Sequence, residues 1–388
     1  MTPAGGAAPP TAPPAAEPVL FNDLRSQQAR IRGRVERRLL AVLDHGRYID
    51  GPEIEELEER LAAAAGVAHC VACSSGTDAI LITLLAHGLA AGDAVLVPAF
   101  TYNATANAVV LAGGVPVFVD VDPRTFMMDP GDLPARVRAA RAGGLRPRVA
   151  LAVDLFGVPA DYPALRAACA AEGLELFADA AQSFGGELNG RRVGGLAAAT
   201  ATSFYPGKAL GGYGDGGAVF TESPDLAEAC RCVRWHGTDP DRVESVRVGL
   251  NGRMSSFQAA VLLEKEAIFE DELAARRRVA AVYEERLAGL ATSQAVPAGA
   301  RSGHGYHTVV VDDRDRVAGR MAAEGVPTAV YYRLPLHRMR AFEAYRPDEP
   351  LPAAEAVADR VLSLPMHPYL TEAQTHRICD AFERAVRG

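Results

Sequence analysis

No apolar run in this chain reaches the roughly 20 residues that a membrane-spanning helix needs, so no transmembrane segment is expected. Nor is there a basic stripe interleaved with aromatics. The net charge is −8 with acids and bases interspersed, which argues against a nucleic-acid face. Residues Met1 to Pro18 are mostly Ala, Pro, Gly and Thr with a single acid, and lack the basic start and apolar core of a secretory signal. They read as a disordered tail, and the chain as cytoplasmic. Zinc-binding patterns are also missing. Cys70 and Cys73 form a C-x-x-C pair, but no second Cys or His pair completes a zinc set, and the pair continues an apolar strand. These are expected to be buried structural thiols, with no metal site. Cys230 and Cys232, two apart on an expected helix, point to different faces. No internal repeat is present.

What the chain does have is core-forming capacity. Of its 388 residues 49% are hydrophobic and 23% charged, enough for one large α/β domain with a smaller one attached. Helical spacing of apolar residues predicts helices from Asp23 to His45 and from Pro52 to Ala65. Short apolar strands then alternate with helices. The strands are His69 to Cys73, Ala94 to Pro98, Val115 to Val119, Val149 to Val153 and Leu176 to Ala178; the helices include Ala79 to Ala86 and Tyr162 to Glu172. This alternation predicts a mostly parallel sheet covered on both faces. A helical region from Ser256 to about Leu287 is expected to break, if at all, near Phe269. Its Arg276-Arg277-Arg278 run reads as solvated surface. Beyond it the pattern predicts strands His307 to Val311 and Thr328 to Tyr332, and helices Asp315 to Glu324 and Glu372 to Val386. The resulting organisation is a tail (1–18), a large domain (19–256) and a smaller α+β domain (257–388).

Three places carry candidate chemistry. The strand ending at Cys73 runs through Ser74-Ser75-Gly76-Thr77-Asp78 into a helix, a step where backbone N–H groups can hold an anion. Such turns are common in α/β folds, and this one alone decides nothing. Asp179 stands at the end of a strand in Asp179-Ala180-Ala181-Gln182-Ser183-Phe184-Gly185. It is either a helix cap or the carboxylate that keeps a pyridinium nitrogen protonated. Lys208 lies among small residues in Thr202-Ser203-Phe204-Tyr205-Pro206-Gly207-Lys208, before a glycine-dense turn. A lone lysine there is commonly solvated. In the company of Gly76, Thr77 and Asp179 it reads instead as the amine that forms a Schiff base with pyridoxal phosphate, PLP.

These stretches resemble the DegT-type sugar-nucleotide aminotransferases, PLP enzymes of aspartate-aminotransferase fold type I. Asp50-Gly51-Pro52-Glu53-Ile54, Ser75-Gly76-Thr77-Asp78-Ala79, Pro98-Ala99-Phe100-Thr101-Tyr102, Gly249-Leu250-Asn251-Gly252-Arg253 and Leu364-Pro365-Met366-His367-Pro368-Tyr369-Leu370 complete the pattern in order. The resemblance covers nearly the whole chain from Phe21, and is closest to enzymes that aminate C3 of a UDP-linked 3-keto sugar acid. It implies a mostly parallel large domain with a smaller C-terminal α+β domain. Lys208 is implied as Schiff-base lysine and proton shuttle, and Asp179 as pyridinium partner. Gln182 would sit beside the PLP 3-hydroxyl and Tyr102 would stack on the ring. Gly76, Thr77 and Ser203 would hold phosphate. Asn251 would reach the phosphate of a neighbouring subunit, which implies a homodimer with shared active sites. Arg253, Tyr332, His337 and His367 fall in segments that line the substrate side of such enzymes, although each is equally explained as structural. The implied reaction moves an amino group from an amino acid donor, usually glutamate, to a keto sugar by a ping-pong route.

The chain departs from the family pattern at Ala209, where Asn is common, and at Arg333, where Pro is common. Gly252 is smaller than usual, and the loop Thr238 to Ser245 lacks a Tyr-His pair. These departures leave PLP chemistry intact and open the substrate. A non-nucleotide ketone such as a cyclitol is the alternative. A PLP-dependent sugar dehydratase is disfavoured because those relatives replace the lysine with histidine. A non-catalytic regulator is disfavoured by the intact Lys208, Asp179 and Gln182. Arg333 either meets an acidic group on substrate or donor, or stands in water.

Overall fold

The computed structural model describes residues 18–388; the expected tail lies outside them except for Pro18. The main sheet has strands β1 (His69–Cys73), β2 (Asp93–Pro98), β3 (Val115–Val119), β4 (Arg146–Val153), β5 (Glu175–Asp179), β6 (Ala199–Ser203) and β7 (Gly217–Thr221). Their spatial order is β1-β7-β6-β5-β4-β2-β3. Only β7 is antiparallel to its neighbours, so the sheet is mostly parallel, as the alternation predicts. β2 and β7 are buried along their whole length, as in a sheet covered on both faces.

Register brings the functional ends together. Val153 is opposite Asp179, Asp179 opposite Ala201, Ser203 opposite Gly217, and Gly217 opposite Cys73. The carboxyl ends of β1, β4, β5 and β6 therefore share one edge, where open α/β sheets bind ligands. Gly217 has no room for a side chain. A Cβ there would lie 2.3 Å from the Ser75 carbonyl oxygen, so glycine lets the chain leaving β1 cross close over β7.

Helices Gly76–Ala86, Ala104–Leu111 and Pro224–Arg234 pack on one another and on the sheet. A separate apolar cluster joins helices Pro52–Ala65 and Ser256–Glu266 to β1 and β7 through Ile54, Leu57, Leu262 and Phe220. A second core draws on Val279, Tyr283, Val309, Met321, Leu362, Ile378 and Phe382. It lies between a three-stranded sheet and helices Phe269–Arg286, Arg314–Ala323 and Glu372–Arg387. The residue pair 256/257 falls at the start of a helix whose apolar side joins the main-sheet cluster.

Several local expectations change. The helix predicted from Ala79 begins at Gly76, because Ser75 Oγ accepts the Asp78 N–H at 3.0 Å and caps it there. Gly76 and Thr77 are thus in the first helical turn. No strand forms over Thr328 to Tyr332. Ala329 alone exchanges hydrogen bonds with Ser363, at 3.1 and 2.8 Å, before the chain turns and carries Tyr331 and Tyr332 against the main core. Arg276 is not surface: it is 4% exposed, and its Nη1 donates to the carbonyls of His304 and Met366. The helical spacing of that segment turns Arg276 inward and leaves only Arg278 fully outside. Cys70 and Cys73 are free and buried, and burial pushes both thiols well up, so neither is a reactive thiolate. Among the described residues no helix is long and apolar enough to cross a membrane.

Candidate active site

A cavity of about 420 Å³ opens at the shared carboxyl edge of the sheet. At one end lie Ser75, Gly76, Thr77 and Ser203. The helix Gly76–Ala86 directs its first N–H groups there, which makes an anion site from backbone alone. Gly76 is required at this point: a Cβ would come within 2.5 Å of the Ser203 Cβ. The close approach of the β1 and β6 exits is therefore built on a missing side chain, and it leaves a cradle for a phosphate group.

At the floor stands Asp179, 6% exposed. Its Oδ2 accepts from Thr105 Oγ1 at 2.8 Å and its Oδ1 from the Ala181 N–H at 3.1 Å. Burial raises its pKa, while the Thr105 hydroxyl, the Ala181 N–H and the charge of Lys208 oppose that rise. Lys208 reaches the same cavity from the loop after β6. Burial lowers its pKa to about 8, against the pull of Asp179. An amine in that range is partly neutral at physiological pH and can act as nucleophile or base.

Gln182 is fixed at both ends: its Oε1 accepts the Phe156 N–H at 2.7 Å and its Nε2 donates to Tyr332 Oη at 3.0 Å. Tyr102 is 54% exposed and its ring centroid is 5.8 Å from that of Tyr332. Tyr331 and Tyr205 complete an aromatic mouth. The cavity thus gathers Lys208, Asp179, Gly76, Thr77, Tyr102, Gln182, Ser203 and Tyr332.

Asn251, expected at a neighbouring subunit's phosphate, and Arg253, His337 and His367, expected on the substrate side, do not line this cavity. Asn251 is exposed and bridges to Trp235. The Arg253 guanidinium lies 4.1 Å from the centroid of the Trp235 ring. His337 is buried, with Nε2 3.0 Å from Glu355 Oε1, and ties a short 3-10 segment to the helix Pro352–Arg360. His367 Nε2 lies 3.1 Å from the Leu20 carbonyl oxygen, and burial lowers its pKa to about 4. Arg333 pairs with Asp315 at 3.0 Å on the surface.

Sequence reasoning passed over Thr105 and Asp154. Thr105 sits one helical turn after Thr101, whose Oγ1 is 3.2 Å away, and both follow the end of β2. Asp154 follows β4 as Asp179 ends β5, so the same strand-end rule could have selected it.

The donor set fits PLP. The cavity lining offers an anion cradle at the Gly76 helix start, a buried carboxylate, a lysine amine of lowered pKa and several tyrosine rings. Residues 30–383 match the DegT/DnrJ/EryC1/StrS aminotransferase family. The chain belongs to that family. It is a PLP-dependent transaminase. The DegT-family fold is equally plain in solved structures. A DegT DnrJ EryC1 StrS aminotransferase from Brucella abortus superposes with TM-score 0.92 at 43% identity, covering 95% of this chain and all of that one (100%). NtdA from Bacillus subtilis, with bound cofactor PMP, gives 0.84 at 28% identity over 92% of this chain and 82% of its own. Among curated relatives, the UDP-2-acetamido-2-deoxy-3-oxo-D-glucuronate aminotransferase of Pseudomonas aeruginosa is 43% identical over 93% of this chain and 98% of its own.

Proposed function

We propose that this transaminase passes an amino group from an amino acid donor, glutamate in the first instance, to the ketone of a nucleotide-linked 3-keto sugar. The observation that carries the reading is the shared cavity: Lys208, Asp179 and the helix start at Gly76 meet in one space, with the aromatic mouth open to a larger substrate. The likeness to the Pseudomonas relative, named for a UDP-linked 3-oxo sugar acid, supports the substrate class.

In this reading the backbone N–H groups at Gly76 and Thr77, with Ser203 Oγ, hold the cofactor phosphate. Asp179 keeps a proton on the ring nitrogen, and Thr105 keeps Asp179 aimed at it. Gln182 lies beside the ring hydroxyl and Tyr102 covers the ring. Once bound, PLP supplies an electron sink for the charge left when a proton leaves the carbon beside nitrogen. Lys208 Nζ takes that proton and returns it, which its depressed pKa permits. Tyr331 and Tyr332 exclude water from that exchange.

We assign the working unit as a homodimer. Asn251 faces outward from its own cavity's lining, and the nearby Val243, Val246 and Val248 are exposed, as residues awaiting a second copy would be. Arg253, on the same segment, then belongs to the substrate side of the partner's site. Tyr332 serves the substrate side of its own site, whereas His337 and His367 are assigned to the frame behind it.

The test is a half-reaction screen with the pyridoxamine-phosphate-loaded protein, following the cofactor absorbance as ketones are added singly. A response to a UDP-linked 3-keto uronic acid, absent with cyclitol ketones, is expected. A response to unlinked ketones alone overturns the nucleotide-sugar assignment.

A further inference from the structure

Behind Asp179 the structure holds a second carboxylate to which the reaction as described gives no part. Asp154 is 0% exposed. Its Oδ1 accepts from the Ala160 N–H at 2.9 Å and the Tyr162 hydroxyl at 2.8 Å, and its Oδ2 accepts from the Ser183 hydroxyl at 2.9 Å. Its own N–H donates to the Asp179 carbonyl oxygen at 3.0 Å. Two residues on, the Phe156 N–H holds Gln182 Oε1. The segment after β4 therefore grips the turn 179–183 at its start, at Gln182 and at its end.

The grip suits an anion. Three donors converge on the two carboxylate oxygens; an amide of the same shape could keep the two contacts on one oxygen and donate its NH₂ to a turned Ser183 hydroxyl, so what the acid adds over the amide is its charge. Yet among the described residues no lysine or arginine pairs with Asp154, and Lys208 is the cation that acts on Asp179. Burial and the charge of Asp179 push Asp154 up to about 6, which leaves it largely ionised at neutral pH. Asp179 thus has the charge of Lys208 beside it, whereas Asp154 has the charge of Asp179 and no cation, and the site is short of a positive charge. A protonated ring nitrogen is a cation of the kind that would complete it.

We infer that Asp154 is a positioning residue for transamination: it fixes the turn carrying Asp179 and Gln182, and places a second negative charge behind the carboxylate that meets the ring nitrogen. The inference rests on the assignment of Asp179 as ring partner.

The test compares Asp154→Asn, Asp154→Asn with Ser183→Ala, Tyr162→Phe and Asp179→Asn. In Asp154→Asn the Ser183 hydroxyl can turn to accept from the new NH₂, so this variant loses the charge and keeps its contacts, whereas the double variant loses that contact as well. Readouts are the PLP dissociation constant, the thermal transition, and kcat and KM for glutamate in the half reaction. Loss of a charge interaction equivalent to about one pKa unit predicts about tenfold weaker PLP binding and about tenfold lower kcat in Asp154→Asn. Donor KM should stay unchanged, and Tyr162→Phe, which keeps the charge, should shift each constant less than about threefold. A folded Asp154→Asn variant with wild-type PLP affinity and kcat overturns the inference. So does a Tyr162→Phe variant as impaired as Asp154→Asn, which would make the role geometric alone. Wild-type behaviour in Asp179→Asn would instead remove the underlying assignment of Asp179.

Discussion

The floor of the cavity and the surface around Trp235 are built on opposite plans. At the floor, Asp154, Thr105, Asp179 and Gln182 are joined by hydrogen bonds of 2.7 to 3.1 Å that all lie within one chain. Around Trp235, two guanidiniums, of Arg242 and Arg253, lie 3.6 and 4.1 Å from the ring centroid, and Val243 and Val248 are 85% and 82% exposed. A closed polar network fixes one geometry, because each member left unpaired would be costly. An open aromatic and aliphatic surface fixes none until something covers it. The floor of the cavity is therefore complete in a single chain, whereas the proposed Asn251 and Arg253 roles require a second.

The largest effect should follow from breaking the floor at its reactive atom. Lys208→Ala removes the one depressed amine on the cavity and is expected to lower turnover by at least about 10³-fold. The fold should persist, because Lys208 makes no ion pair within the described residues and faces open space. Retained turnover at even a tenth of the wild-type rate would remove Lys208 from the mechanism.

That prediction draws on residues legible without coordinates, and the reason is local. Gly76, Gly217 and Lys208 sit where a strand exit, a turn and a helix start meet within a few residues, so short motifs encode their geometry. Asp179 stands at a strand end, and strand ends follow from apolar periodicity. What sequence alone did not yield depends on contacts made across long separations. Thr105 meets Asp179, and Asp154 meets Ser183, only once β2, β4 and β5 align. Arg276 reads as surface in a basic run, yet the carbonyls of His304 and Met366 draw it inside. Tyr332 lies in a β-like segment whose backbone leaves the ladder so that its ring can reach Gln182.

A second way to sharpen the comparison uses pH. The floor lowers the Lys208 pKa to about 8 by burial, and Asp179 pulls the other way. Only the neutral amine attacks an aldehyde. PLP uptake by the apoprotein should therefore slow about tenfold for each pH unit below 8 and level off above it. Asp179→Asn removes the opposing negative charge, so burial acts alone and the rising limb should move to lower pH. Stopped-flow absorbance from pH 6 to about 10 reads both curves. A limb centred near 10.5, the ordinary value, would show an exposed lysine instead. A limb that Asp179→Asn left in place would uncouple the two residues.

The smallest effect should come from the open surface, and it decides whether that surface is shared. Asn251→Ala alone is expected to weaken one phosphate contact, reducing kcat/KM by about tenfold, the scale of a hydrogen bond to a charged group. Mixing that variant with Lys208→Ala subunits then separates two architectures. If Asn251 serves the neighbouring cavity, each mixed dimer holds one site with Lys208 from one chain and Asn251 from the other, and full activity returns in that site. If Asn251 serves its own cavity, no mixed dimer contains an intact site. Activity should therefore rise above that of either parent after subunit exchange. Its failure to rise, with mixed dimers verified by native mass spectrometry, would confine the active site to one chain and make the contrast between floor and surface one of burial only.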